Sequence, residues 1–233
     1  MQRLDLPELL DSDACPPDEV RIALQDIVSV NRRFGGVSTT QAMIERVARS
    51  TGKNHFSLLE VAAASGEVPT LAAQKLARRG ISLDITLLDR APSHLRSGTR
   101  SLAADALALP FRDASFDLVS CNLFAHHLTP EQLACFLRES LRVSGCAVLI
   151  NDLIRHPLHL ALVYASFPLM RSRVAWVDGV ASVRRAYVPA EIRQILSAAF
   201  PANSEPHIDI FRHYLFRMGV ILWKKDVQPM IHG

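Results

Sequence analysis

Phe56–Val61 reads as a strand, and its Leu58-Leu59-Glu60-Val61 passes directly into Ala62-Ala63-Ala64-Ser65-Gly66, a stretch of very small side chains. A helical pattern then runs from Val68 to Arg79 and is closed by Gly80. A strand, a tight turn of small residues and a helix in succession open a βαβ unit, and small residues at such a turn let backbone come close to a ligand. The alternation continues. Strands are expected at Ile85–Leu88 (ending in Asp89), Ser101–Ala103, Phe116–Cys121 and Cys146–Ile150, and a short helix or turn at Pro92–Gly98. Thr129-Pro130-Glu131-Gln132 combines a cap, a first-turn proline and a capping-box glutamine, and so starts a helix with Leu133, Phe136, Leu137 and Leu141 inward. Pro189 opens another helix through Ala199, and His207–Phe211 and Tyr214–Trp223 read as a hairpin.

Strands separated by helices require parallel crossovers. The expected fold is α/β: a doubly wound, mostly parallel seven-stranded sheet with a C-terminal antiparallel hairpin, N-terminal helices and a helical insertion after the fifth strand. In such sheets a ligand binds beyond the carboxyl ends of the strands. One N-terminal helix is expected from Pro16 to about Arg33, with Val20, Leu24, Ile27 and Val28 on one face. A second is expected from Thr39 to Ser50, with Met43, Ile44 and Val47 inward. Residues 1–53 are read as a helical cap and 54–233 as the main domain, with a lid insertion at about 153–188.

Composition narrows the class. The chain has 233 residues and 49% hydrophobic content, enough for a sizeable core. The net charge is +3 and no block of basic residues occurs, so nucleic acid is not an expected partner. Cys15, Cys121, Cys135 and Cys146 form no CxxC pair and no zinc spacing, which fits a reduced, cytoplasmic protein without a metal site. The N-terminus is acidic and has no apolar signal core. The greasiest stretch, Leu158–Met170, contains Pro168 and is shorter than the roughly twenty residues a bilayer span needs, so stable membrane insertion is not expected. A homodimer is left open.

The turn excludes some ligands. A dinucleotide fingerprint beginning at Ala62 would place its third small residue where Glu67 stands, and a carboxylate there repels a pyrophosphate; no Gly-Lys-Ser/Thr of a Walker loop occurs. Small residues at every second position after an acid, Glu60-x-Ala62-x-Ala64-x-Gly66, resemble the first motif of the class I S-adenosylmethionine-dependent methyltransferases. The series continues in order over about 150 residues: Leu87-Leu88-Asp89, Ala104-Asp105-Ala106, Leu109-Pro110-Phe111, Ser115-Phe116-Asp117-Leu118-Val119, and Leu141-Arg142-Val143-Ser144-Gly145-Cys146. The family's usual proline-glycine pair before the fifth strand is here Ser144-Gly145, and its usual first-motif glycines are here largely alanines.

The resemblance implies a Rossmann-like domain and S-adenosyl-L-methionine as cofactor. It places Glu60, Ala62, Ala64 and Gly66 at the turn, Asp89 with Arg90 at the ribose, Asp105 with Ala106 at the adenine, and Asn122 beside them. The implied reaction is transfer of a methyl group to a small molecule, at oxygen or carbon of an aromatic, polyketide- or quinone-like substrate. A degenerate member that binds a ligand or partner without catalysis is the alternative, and an NAD-linked oxidoreductase a more distant one.

The acceptor should lie after the fourth and fifth strands. Asn122-Leu123-Phe124-Ala125-His126-His127 supplies two imidazoles, and histidine accepts protons near neutral pH. His126 and His127 are candidate bases, with His156 a further one. Asp152, Arg155, Arg184, Arg33 and Phe34 are candidate substrate contacts, since arginines beside an apolar lid suit a substrate bearing oxygen or carboxylate groups. The plain readings are that the histidines only shape the loop, that Asn151 and Asp152 turn the chain, and that the arginines are solvated.

Overall fold

The computed structural model describes residues 1–11, 15–92, 95, 98–201, 205–225 and 227. Two helices lead: α1 (Pro17–Arg33) and α2 (Gly36–Thr51). Then come β1 (His55–Val61), α3 (Glu67–Ala77), β2 (Ser82–Asp89), β3 (Ser101–Ala103) and β4 (Phe116–Asn122). The chain continues through α4 (Pro130–Val143), β5 (Ser144–Leu153), α5 (Pro157–Ala165), α6 (Arg173–Arg185) and α7 (Pro189–Ala199), and closes with β6 (Ile208–His213) and β7 (Arg217–Trp223). Much of the turn expected at Pro92–Gly98 lies outside the described residues.

The sheet order is β3-β2-β1-β4-β5-β7-β6. β1 pairs in parallel with both β2 and β4, and β4 with β5, while β7 runs antiparallel to β5 and β6. The order reverses between β1 and β4, which sets the crevice at their carboxyl ends. One face of the sheet is covered by α2 and α3, whose Met43, Ile44, Val47 and Leu76 share a core with Phe56, Leu58 and Trp223. The other is covered by α4 and α7, through Leu133, Phe136, Leu137, Ile192 and Leu196. The capping box of α4 forms: Thr129 Oγ1 accepts from Gln132 N at 3.3 Å, and Gln132 Oε1 accepts from Thr129 N at 3.0 Å. Among the described residues no helix is long and apolar enough to cross a membrane.

Four local expectations need correction. α2 begins at Gly36, three residues early, because Gly35 takes φ +84° as its N-cap and a Cβ there would meet Tyr214 Cβ at 2.8 Å. α1 buries Ala23, Asp26 and Asn31, while Leu24 is exposed. Its inner face is set by a close contact of Ala23 with Val174 and Ala175 of α6, and by Asp26 Oδ2, which accepts from Arg171 N and Ser172 N at 2.8 Å each. Asn151 and Asp152 do not turn the chain but lie inside β5, opposite Gly219 and Met218. The last strand starts at Arg217, because Tyr214 and Leu215 turn with φ of 44° and 42°.

Candidate active site

The turn after β1 is built from backbone. Ala62 and Ala64 sit at φ 53° and 44°, a left-handed conformation that costs an L-residue roughly 1–2 kcal/mol. The turn is held from both sides: Ala63 N donates to Leu88 O at 3.0 Å, and Gly66 N to Ala63 O at 2.7 Å. Gly66 is needed on two grounds, since its φ is +66° and a Cβ would stand 2.5 Å from Leu87 Cδ1. The chain thus keeps a turn that favours glycine while placing methyl groups at two of its positions. Glu67, the first residue of α3, pairs with Arg32 of α1.

Asp89 closes the turn from β2. Its Oδ2 accepts from Ala64 N at 2.9 Å and its Oδ1 from Ala91 N at 3.0 Å. A carboxylate at the end of this strand is the kind of group that accepts from a sugar diol. Arg90 is exposed beside it. Ala104 N donates to Asp89 O at 3.0 Å, which brings the β3 exit to the same end of the sheet. There Asp105 is exposed, with Oδ1 accepting from Leu107 N at 2.8 Å, and Ala106 is half-buried against the core.

Glu60 and Asn122 meet across the switch point. Asn122 Nδ2 donates to Glu60 Oε1 at 2.7 Å, and Ser120 Oγ donates to Glu60 Oε2. Asn122 Oδ1 accepts from Thr40 Oγ1 and from Asn151 Nδ2, each at 2.7 Å, and Asn151 Nδ2 also reaches Gly36 O at 2.7 Å. Burial pushes the Glu60 carboxyl up to about 7, against the lowering effect of its Ser120 and Asn122 bonds.

The acceptor end is a side-chain network. His126 is 1% exposed, in a 3-10 turn after β4. Its Nδ1 lies 2.7 Å from Asp152 Oδ1, and its backbone N donates to Asp152 Oδ2 at 3.0 Å. Burial alone would lower its pKa, but Asp152 and then Glu8 outweigh that and raise it to about 9. Over both histidines lies an N-terminal arm. Arg3 donates to the carbonyls of Arg185, His126 and Leu128, and Asp178 of α6 accepts from Leu9 N at 2.6 Å and Leu10 N at 3.0 Å.

The remaining candidates disperse. Arg155 is engaged by Glu191 at 2.6 Å, by Ala186 O at 2.7 Å and by Met1 O at 2.9 Å. His156 caps α5, its Nδ1 accepting from Leu158 N at 3.1 Å, and stacks on Phe216. Arg184 reaches toward the Tyr164 hydroxyl at 3.5 Å. Arg33 is exposed at the end of α1, and Phe34, half exposed, meets the Tyr214 ring edge-on at 6.5 Å. Residues the sequence did not single out are Glu8, Asp11, Thr40 and Arg217. Arg217 is buried, donates to Asn31 Oδ1 at 2.6 Å and has its pKa lowered to about 10 by burial.

Residues 59–146 match the family model described as a methyltransferase domain. No curated protein matches the chain. Among solved structures, the plantazolicin methyltransferase BpumL in complex with SAH is similar at a TM-score of 0.67 and 14% identity, over 92% of this chain and 91% of that one. An S-adenosylmethionine-dependent methyltransferase from Aquifex aeolicus is similar at 0.55 and 14%, over 89% and 99%. The citrinin polyketide synthase CMeT domain is similar at 0.54 and 14%; the match covers 80% of this chain but only 51% of that one. S-adenosylmethionine is the cofactor of this domain class, and the turn, its small side chains and the acids at β2 and β3 fit that molecule.

Proposed function

We propose that this chain, which carries a class I S-adenosylmethionine-dependent methyltransferase domain, methylates a small molecule at oxygen or at an activated carbon, in the range of aromatic, polyketide- or quinone-like acceptors. The observation that carries the reading is the left-handed backbone at Ala62 and Ala64 beside Asp89. The acceptor class rests on the likeness to a plantazolicin methyltransferase and to a polyketide synthase methyltransferase domain. The sequence also contains no Asn/Asp-Pro-Pro-Tyr motif of the kind used for nucleic-acid and amide nitrogen.

Bound S-adenosylmethionine supplies an electrophilic methyl group on a sulfonium sulfur. The chain's own residues bind and orient. The N–H groups of Glu67 and Val68 at the start of α3 would hold the carboxylate of the cofactor, the Glu67 side chain being drawn off by Arg32. Asp89 would accept from the ribose hydroxyls, and Asp105 with Ala106 would border the base. Glu60, tied to Asn122, sets a negative or protonatable group at the switch point, where a cationic ligand favours its ionised form. The acceptor is held at the ends of β4 and β5. His126 Nε2 is turned toward Glu8 and buried, so in this conformation the pair His126–Asp152 anchors that end rather than reaching an acceptor proton. Holding two reactants in line supplies much of the rate of such a displacement.

Calorimetric titration with S-adenosylmethionine and with SAH tests the cofactor half. One site per chain is expected, and Asp89→Ala should weaken it about tenfold or more, the value of a hydrogen bond to a charged group. Incubation with methyl-labelled cofactor and a panel of phenols and 1,3-dicarbonyls tests the acceptor half, read as label in the organic product. No heat and no thermal shift at millimolar cofactor would leave the second reading, a methyltransferase-fold protein that binds without catalysis. The strained alanines at the turn are the observation that favours it.

A further inference from the structure

Glu8, His126 and His127 direct a carboxylate and two imidazoles at one point. Their ligand atoms all lie within 4.8 Å of one another. Glu8 Oε1 is 3.4 Å from His126 Nε2, and Glu8 Oε2 is 3.6 Å from His127 Nε2. Metal–ligand bonds of about 2.0–2.1 Å in a tetrahedron place neighbouring ligands roughly 3.4 Å apart, so these atoms already stand near coordination spacing.

The surroundings repeat a pattern that metal-binding histidines require. Each ring's far nitrogen faces its own carboxylate: His126 Nδ1 is 2.7 Å from Asp152 Oδ1, and His127 Nδ1 is 3.3 Å from Asp11 Oδ2. Such partners fix the tautomer with hydrogen on Nδ1, leaving the Nε2 lone pair to bind. A second observation points to a ligand. His126 Nε2 is fully buried and faces only the Glu8 carboxylate, at 3.4 Å and without good hydrogen-bond geometry, and a buried polar group is rarely left so poorly satisfied. Charge agrees. Glu8, Asp11 and Asp152 stand around the two imidazoles, so a cation entering there meets three carboxylates, while Arg185 is shared among Glu8 at 3.9 Å, Asp11 at 3.3 Å and Asp5 at 3.5 Å. Ser182 Oγ, donating to Glu8 Oε1 at 2.8 Å, fixes the carboxylate.

We infer that Glu8, His126 and His127 form a binding site for a divalent first-row metal ion, with zinc the best match to two imidazoles and one carboxylate. Three protein ligands leave a fourth position for water or a solute oxygen. The ion cross-links the N-terminal arm to the exit of β4. The inference is independent of whether the chain transfers methyl groups.

The test uses the full chain, stripped with a chelator and dialysed. Zn²⁺ is titrated calorimetrically, and Co²⁺ in parallel by visible absorption. One ion per chain is expected, with the intense visible bands of tetrahedral Co²⁺ and a rise in thermal midpoint. Glu8→Gln and His127→Gln, both at incompletely buried side chains, should each weaken Zn²⁺ binding at least about 100-fold, and Asp11→Asn, an outer partner, about 10- to 100-fold with the stoichiometry kept. No stoichiometric Zn²⁺ heat and no tetrahedral Co²⁺ band in the folded protein would overturn the site. So would binding that survives both ligand substitutions. Equal destabilisation by Glu8→Gln with and without Zn²⁺ would overturn it too, by assigning Glu8 to ion pairing with the imidazoles alone.

Discussion

The two ends of the crevice are made of different materials. The end at β1, β2 and β3 is backbone: two left-handed alanines, a glycine at positive φ whose Cβ would have to displace Leu87, and a carboxylate that accepts from two main-chain amides. The end at β4 and β5 is side chain: a buried His126–Asp152 pair, an acidic arm over it, and arginines that hold carbonyls. The first kind of site is specified by neighbours in sequence and changes little when a surface residue changes. The second adds to the His126–Asp152 pair an arm that comes from more than a hundred positions away, and removing one member strands the others.

Asp152→Asn should therefore show the largest effect. It leaves a buried imidazole without its charged partner, a loss of about 3–5 kcal/mol, read by urea denaturation. A small loss would mean that the acceptor end tolerates rearrangement as the cofactor end does. Gly66→Ala is the counterpart at the backbone end. Its positive φ and the 2.5 Å approach to Leu87 predict about 3 kcal/mol and weakened cofactor binding.

Glu60 links the two ends and gives a pH signature. Its carboxyl is raised from 4.5 to about 7 in the folded protein, so folding favours its protonated form. Its contribution is fully present below pH 4.5 and is lost as the pH rises through about 7. The span corresponds to about 3 kcal/mol at most. Asp117 and Glu191, whose carboxyls are lowered against the opposing effect of burial by Lys53 and Arg155 respectively, titrate in the opposite sense. The readout is thus the difference between wild type and Glu60→Gln across that range. The variant's stability relative to wild type should rise with pH; a flat difference would show that Glu60 is solvated. The smallest effect belongs to the strained alanines. Ala62→Gly and Ala64→Gly should each stabilise by about 1 kcal/mol or less, the relief of strain being partly offset by the greater freedom of glycine in the unfolded chain. Tighter cofactor binding in either variant would show that the methyl groups crowd the ligand.

Legibility in the sequence follows the same division. The strand-turn-helix at 58–79 and the box at Thr129 and Gln132 lie within a few residues of what they act on, and the acid ending β2 reaches the turn across a single βαβ unit, so the fold follows from their order. Asn151-Asp152 misled because that dipeptide favours turns. In the structure Asn151 is drawn into β5 by Gly36 O, Thr40 and Asn122, partners that local pattern does not reveal. Leu24 misled because helical spacing marks a stripe without saying what it packs on; here Asp26 faces inward to accept from the amides of Arg171 and Ser172, just ahead of α6. Glu8 carried no signal beyond an acidic N-terminus, because its partners lie at 126, 127, 182 and 185.

The reach of that arm has a consequence for synthesis. Arg3 waits for carbonyls 123 and 182 residues away, and Leu9 for a carboxylate 169 residues on. Domains form from the N-terminus as the chain emerges, yet Arg3 and Leu9, made ahead of the strands and helices that follow them, are here among the last to find their places. The β1–β4 crevice can assemble while α6 is still being translated. A nascent chain therefore passes through a stage in which the crevice exists and its far end stands open, and only the later part of the chain gives the beginning something to hold.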